Sequence, residues 1–242
     1  MRRFILSALV LLIASSCLGQ DKPGSALSPE GRPDQEWWMK MHQAFLDRAK
    51  KKDVDLLFLG DSITQGWGEN ATWKRHYSPR NAANFGIGGD RTQHVLWRIE
   101  HGEIDGINPR VAVLMIGTNN IGSNSPVEIA EGVKAIVARL REKLPMTKLL
   151  VLGVFPRGEN RANDTAAKRE SAKASDIPGK INAVIAQLDD GKSIKYMDIS
   201  KAFLNDDGTI PKALMPDFLH LSDAGYRRWA DAIEPTLWEM MR

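Results

Sequence analysis

The chain is short of cysteine, of net charge and of long hydrophobic runs, and each shortage excludes something. One cysteine in 242 residues leaves no internal disulfide and no cysteine-rich zinc site. The 33 Lys and Arg against 30 Asp and Glu give a formal charge of only +3, with 43% hydrophobic residues, which excludes a disordered chain. Twelve prolines and twenty glycines follow no period, so collagen-like repeats are excluded too. The apolar stretch from Phe4 to Ala14, interrupted only by Ser7, falls short of the roughly 20 residues that a spanning helix needs. What remains is a globular domain with ample chain to bury a core.

That apolar stretch has its own meaning. Arg2 and Arg3 precede it, and the small residues Ser15, Ser16 and Gly19 follow. A basic start, a short apolar run and small residues form the pattern of a secretory signal peptide. Residues 1–19 are therefore expected to be a signal peptide, and the protein to be exported. Removing them takes two arginines and no acid, which lowers +3 to +1. No basic stripe interleaved with aromatics stands elsewhere, so no nucleic-acid partner is expected. Cleavage after Gly19 would discard Cys17. Ala14-Ser15-Ser16-Cys17 also loosely resembles a bacterial lipoprotein site, where Cys17 would carry lipid and attach the chain to a membrane. Both routes stay open, and both leave the folded body without cysteine.

Residues 20–36, with three prolines and two glycines, read as a flexible leader, and 37–242 as the domain. Trp37 to Lys52 has the spacing of an amphipathic helix, with Trp38, Met41, Phe45 and Leu46 or Ala49 on one side. Short apolar runs at 54–59, 111–116 and 149–155, with weaker ones at 81–85 and 194–199, read as strands. Helices are expected between them. One opens at the Ser125-Pro126-Val127-Glu128 capping box and runs to about Lys143. Another covers roughly 165–188, broken near Pro178, and a last one follows Ser222. The polar stretch 157–178 reads as a surface excursion. Five alternations of strand and helix predict an α/β domain with a parallel sheet covered on both faces. Ligands bind such sheets at the carboxyl ends of the strands, so the residues after each run are the candidate site.

Gly60-Asp61-Ser62-Ile63-Thr64 follows the first run. A serine one residue into a strand-to-helix turn is exposed at the sheet edge, and its N–H can face a reacting group; a helix-capping serine would look the same. Asn84 to Asp90 holds three glycines in four residues, Gly86, Gly88 and Gly89, which permits close backbone approach. Arg91 in place of the third fingerprint glycine argues against a dinucleotide loop. Gly117-Thr118-Asn119-Asn120 sets a side-chain amide where it can donate to a developing oxyanion, or merely turn the chain. In Asp217-Phe218-Leu219-His220 the carboxylate can hold Nδ1–H while Nε2 faces a nucleophile. His42, His76, His94 and His101 show no metal-site spacing, so neither metal nor cofactor is expected. Each signal is weak alone. Together, serine, backbone N–H, amide and an Asp–His pair are the parts of acyl transfer.

Their order resembles that of the SGNH (GDSL-type) hydrolase family, whose four blocks carry Ser, Gly, Asn and His. The resemblance implies a flavodoxin-like three-layer α/β/α sandwich with a five-stranded parallel sheet. It also implies Ser62 as nucleophile, His220 and Asp217 as its partners, and an oxyanion hole from the Ser62 and Gly89 N–H groups and the Asn119 amide. Within the family, Leu59 to Ser62, Asn84 to Asp90, His94 to Arg98, Gly117 to Asn120, Val151 to Gly153, Pro156 to Glu159 and Asp217 to Leu221 are similar to platelet-activating-factor acetylhydrolase-like esterases. That similarity, over about 37–160 and 215–235, implies a serine ester hydrolase that removes short acyl groups. Combined with export, it makes an O-acetylated carbohydrate the expected substrate. A lipid acetyl or lysophospholipid ester, and a catalytically silent glycan-binding module, are the alternatives. The related subunits dimerise, which raises a homodimer as an expectation that no surface pattern in the sequence tests. Asn120 stands where the wider family carries Asp, and the stretch 160–178 looks longer than in those relatives.

Overall fold

A computed structural model describes residues 25–68, 70–159 and 170–242. The expected signal peptide, with Cys17, lies outside the described residues, as does 160–169 of the polar excursion.

The elements follow in chain order. Helix α1 (Glu36–Lys50) leads into β1 (Leu56–Gly60), the single-turn α2 (Ser62–Gln65) and α3 (Ala71–His76). Then come β2 (Ala82–Gly86), α4 (Thr92–Glu100), β3 (Val111–Met115), α5 (Pro126–Lys143) and β4 (Lys148–Leu152). The last part holds β5 (Ser171–Lys173), α6 (Ile177–Ile185), β6 (Ile194–Met197), β7 (Thr209–Pro211) and α7 (Asp223–Met241). Five strands form a wholly parallel sheet in the order β2-β1-β3-β4-β6. The expected α/β sandwich is the observed one.

The continuous apolar runs have a physical cause: both faces of the sheet are covered. Leu57, Leu59, Ala112, Leu114, Leu149 and Val151 pack with residues of α4, α5 and α6. Their neighbours Leu56, Phe58, Val113, Met115, Leu150 and Leu152 pack on the other side with Trp67, Trp73 and Trp229 of the α2–α3 region and α7. Each large apolar side chain so buried contributes about 1.5–3 kcal/mol. Because β1 lies between β2 and β3, the chain leaves it in one direction for β2 and crosses back for β3. The carboxyl end of β1 is thus the switch point where open α/β sheets hold ligands.

Two expectations need correction. The stretch read as one helix over 165–188 holds, in its described part, β5 paired antiparallel with β7 and then α6. Pro178 lies in the first turn of α6, where a missing N–H costs nothing, so it opens the helix instead of breaking one. The leader differs as well. From Ser25 onward it lies against the domain: Thr92 Oγ1 donates to Ala26 O at 2.8 Å, Asn124 Nδ2 to Ser25 Oγ at 2.8 Å, and Glu30 N to Gln93 O at 3.1 Å. Ala26 is fully buried.

Candidate active site

Ser62 begins α2 directly after β1. Asp61 caps that helix through Oδ1, which accepts from Ile63 N at 2.9 Å. The turn is tight enough to require Gly60, since a Cβ there would stand 2.2 Å from Thr64 Oγ1 and 2.4 Å from Met115 O. The first N–H groups of a helix meet no carbonyl of that helix, so the Ser62 N–H is available for a ligand. Asp61 itself is fully buried, and that burial pushes its carboxyl up to about 7.

Ser62 Oγ lies 2.9 Å from His220 Nε2, and His220 Nδ1 lies 2.7 Å from Asp217 Oδ2. The other carboxylate oxygen, Oδ1, accepts from the Leu219 and His220 N–H groups at 3.1 and 2.7 Å. Partial burial works against the Asp217 charge, but these donors and the His220 ring hold its carboxyl below the usual range. With Asp217 ionised, Nδ1 carries the imidazole proton and Nε2 is left to accept the serine hydroxyl. Phe218 turns the chain between the pair at a φ of +58°, and its carbonyl accepts from Gly158 N at 2.9 Å. The loop is closed from α7 by Ser222, whose Oγ donates to Ala213 O at 2.6 Å and accepts from Gly225 N at 3.2 Å.

The glycine loop after β2 meets the same place. A Cβ on Gly86 would come within 2.2 Å of Gln65 N, so glycine lets β2 approach α2. A Cβ on Gly88 would stand 3.8 Å from Ser62 Cβ, and Gly88 N donates to Gln65 Oε1 at 2.7 Å. Gly89 follows at a φ of +73°. Asn119, in the turn after β3, donates one amide hydrogen to Asp90 O at 2.9 Å; no partner for the other is found among the described residues. Asn120, two-way bonded to Thr92 and also to Gln93 and Asn124, is buried and knits that turn to α4. All five expected residues, Ser62, Gly89, Asn119, Asp217 and His220, stand at the carboxyl edge of the sheet. Among the described residues, no group of three or more His, Cys, Asp and Glu side chains is arranged to hold a metal ion.

Residues 58–228 match the model of the GDSL-like Lipase/Acylhydrolase family. The chain belongs to that family. Platelet-activating factor acetylhydrolase IB subunit alpha2 of Rattus norvegicus is 36% identical to it over 204 residues, covering 84% of this chain and 85% of the relative. Subunit alpha1 of Homo sapiens is 34% identical over 229 residues, covering 92% and 93%. Among solved structures, a putative platelet activating factor from Streptococcus pneumonia matches with a TM-score of 0.66 at 20% identity, over 83% of this chain and 94% of the other. A carbohydrate esterase family 3 structure from Talaromyces cellulolyticus matches with a TM-score of 0.54 at 18% identity, over 78% and 98%. At such identities these two show the fold alone. As a GDSL-family acylhydrolase, the chain is a carboxylic ester hydrolase.

Sequence reasoning missed what lies beneath the glycine loop of this GDSL-family protein. Arg98, fully buried, pairs through Nε with Asp90 Oδ2 at 2.9 Å and through Nη1 with Glu103 Oε2 at 2.6 Å. It also donates to Phe85 O at 3.1 Å and Gly60 O at 3.2 Å, the ends of β2 and β1. Burial opposes its charge, yet Glu103 and Asp90 hold its pKa above the ordinary range. His42 Nδ1 meets Glu103 Oε1 at 2.8 Å, and Trp38 Nε1 donates to Asp90 Oδ1 at 2.7 Å. One signal was available: Arg98 interrupts the apolar residues Val95, Leu96, Trp97 and Ile99, where a solvated charge has no place.

Proposed function

We propose that the chain is an exported serine esterase that removes acetyl or similarly short acyl groups, with Ser62 as nucleophile. The observation that carries this is the continuous hydrogen-bonded series Ser62–His220–Asp217. His220 Nε2 takes the hydroxyl proton as Ser62 Oγ attacks the ester carbonyl. Asp217 holds the ring tautomer and stabilises the imidazolium. The Ser62 and Gly89 N–H groups and the Asn119 amide receive the negative oxygen of the tetrahedral intermediate. The intermediate collapses, the alcohol leaves with the proton from His220, and water then cleaves the acyl-serine by the same route.

O-acetylated carbohydrate is the leading substrate class. Supporting it are the export signal expected at residues 1–19, the acetylhydrolase names of the curated relatives and the carbohydrate esterase that shares the fold. An acetyl lipid is the second reading, favoured by the platelet-activating factor that those relatives' names contain. A fluorophosphonate probe should label the wild type and leave Ser62→Ala unlabelled; aryl acetate hydrolysis should vanish in the same variant. Near-normal hydrolysis by Ser62→Ala would sink the mechanism, and an unlabelled but folded wild type would favour a silent binding module. Acetylated glycans and acetyl lipids, compared by kcat/KM, decide between the substrate classes.

A further inference from the structure

Arg32 belongs to the stretch whose composition reads as a flexible leader, yet its side chain is only 18% exposed. Nη1 donates to Gly88 O at 3.1 Å and to Asp90 Oδ1 at 3.3 Å. The guanidinium lies over the Trp37 ring, 5.4 Å from its centre. It also backs directly onto the glycine loop, because a Cβ on Gly89 would stand 3.3 Å from Nη2. Upstream, a Cβ on Gly31 would stand 2.6 Å from the Trp97 ring, so the backbone before Arg32 is pressed against α4. The arginine is held from both ends.

The carbonyl that Arg32 grips matters because of the peptide it belongs to. Gly88 C=O and Gly89 N–H are the two ends of one peptide unit. The described residues hold no cis peptide bond, and in a planar trans unit the carbonyl and the N–H point in opposite directions. Fixing the oxygen toward Arg32 therefore fixes the Gly89 hydrogen toward the opposite side. Glycine on both sides of this peptide leaves it little intrinsic preference for that orientation, so an external restraint is needed. A cation on the carbonyl also draws electron density along the unit and makes its N–H a stronger donor.

We infer that Arg32 is a positioning residue that orients and polarises the Gly88–Gly89 peptide, so that the N-terminal segment 25–35 completes the oxyanion-stabilising half of the active site. The inference rests on Gly89 being an oxyanion donor. Gln65 holds the preceding N–H of the same loop, so Gly88 is anchored at both its donor and its acceptor. Arg32→Lys separates the two things that Arg32 does. A single ammonium keeps a positive charge beside Asp90 but cannot reproduce the flat fork that meets both Asp90 and the carbonyl.

The test uses the full chain with Arg32→Ala and Arg32→Lys. Both should melt near the wild-type temperature, since Arg98 and Trp38 still satisfy Asp90. With an aryl acetate, kcat should fall roughly 10- to 100-fold while KM changes little, a partial form of losing one oxyanion donor. Affinity for a boronic acid, which forms a tetrahedral adduct on the serine, should fall in parallel with kcat. Guanidinium ion should restore part of the Arg32→Ala rate, because Arg32 lines an open cavity of about 390 Å³ through which the ion can enter. Wild-type kcat in Arg32→Ala, or a lowered kcat with boronate affinity unchanged, would overturn the inference. Failure of the underlying mechanism reads differently: Ser62→Ala would then stay active, whatever Arg32 does.

Discussion

Asp217 and His220 stand three positions apart in the chain, and their side chains are 47% and 43% exposed. Asp90, Arg98 and Glu103, beneath the glycine loop, are wholly buried and tie together the ends of two strands and a helix. In the proposed mechanism the first group handles the proton, and it contributes little to the fold, since exposed ion pairs are worth about 0–1 kcal/mol. The second group holds the backbone at the ends of β1 and β2, next to the proposed oxyanion donors. Its charges are costly to bury singly and tolerable only as a complete set. On the proposed mechanism chemistry and scaffolding are carried by separate sets of charges, and substitutions should break them separately.

The largest effect belongs to the exposed group. His220→Ala should lower kcat roughly a million-fold with the melting temperature almost unmoved, as steady-state kinetics and a thermal melt will show. A collapse of the fold in this variant would contradict the division. Asp217→Asn should cost roughly 10⁴-fold, or about 5.5 kcal/mol of barrier, by allowing the wrong imidazole tautomer. Arg98→Met strikes the buried set instead. It strands two carboxylates and should destabilise the protein by about 3–5 kcal/mol, measured by urea unfolding, with activity lost only as the fold is lost. Between the groups lies Asn119→Ala, expected to cost roughly 100- to 1,000-fold in kcat at near-constant stability.

The smallest effect concerns Asp61, buried next to Ser62 with its carboxyl pushed up to about 7. A carboxyl raised in the folded state binds its proton more tightly there than in the unfolded chain. Its contribution to stability is therefore full below about pH 4 and is lost as pH rises through about 7. The amide of Asp61→Asn mimics the protonated acid at every pH. Melts of wild type and variant should therefore differ least at the acid end and separate, with wild type losing stability relative to the variant, as pH rises through about 7. A difference that stays constant across the interval would overturn this reading. The variant keeps an oxygen for the Ile63 N–H, so the cap at α2 survives the change.

The same division explains what could be read in advance. Apolar runs buried on both faces announce their strands because the sheet leaves them no polar face. Asp217 and His220 are close in sequence, and Ser62 follows a strand, so local spacing alone brings out their candidacy. Arg32, His42 and Glu103 carry no such local mark: His42 and Glu103 meet across 61 positions and Arg32 reaches Gly88 across 56. Prolines and glycines in 20–36 report low intrinsic order but say nothing of the docking contacts at Ala26, Glu30 and Arg32. The strand β5 is three residues long, too short for any period, and its partner β7 follows only after α6 and β6. Of the helix expected there, Ile177–Ile185 forms as α6, while the pairing with β7 claims three of the residues before it.

The phenolic oxygen of Tyr226 in α7 donates to Ile63 O at 2.8 Å, and its ring lies 4.6 Å from that of Trp67. The last helix thereby fastens the loop bearing His220 onto the turn bearing Ser62, 158 positions earlier. Chains emerge from the ribosome amino end first. Ser62, the proposed nucleophile, is thus synthesised well before His220 and stands without its proposed base until α7 has emerged. On the proposed mechanism the growing chain holds no working esterase before then, and in refolding the return of hydrolysis should mark the docking of α7 as a built-in clock.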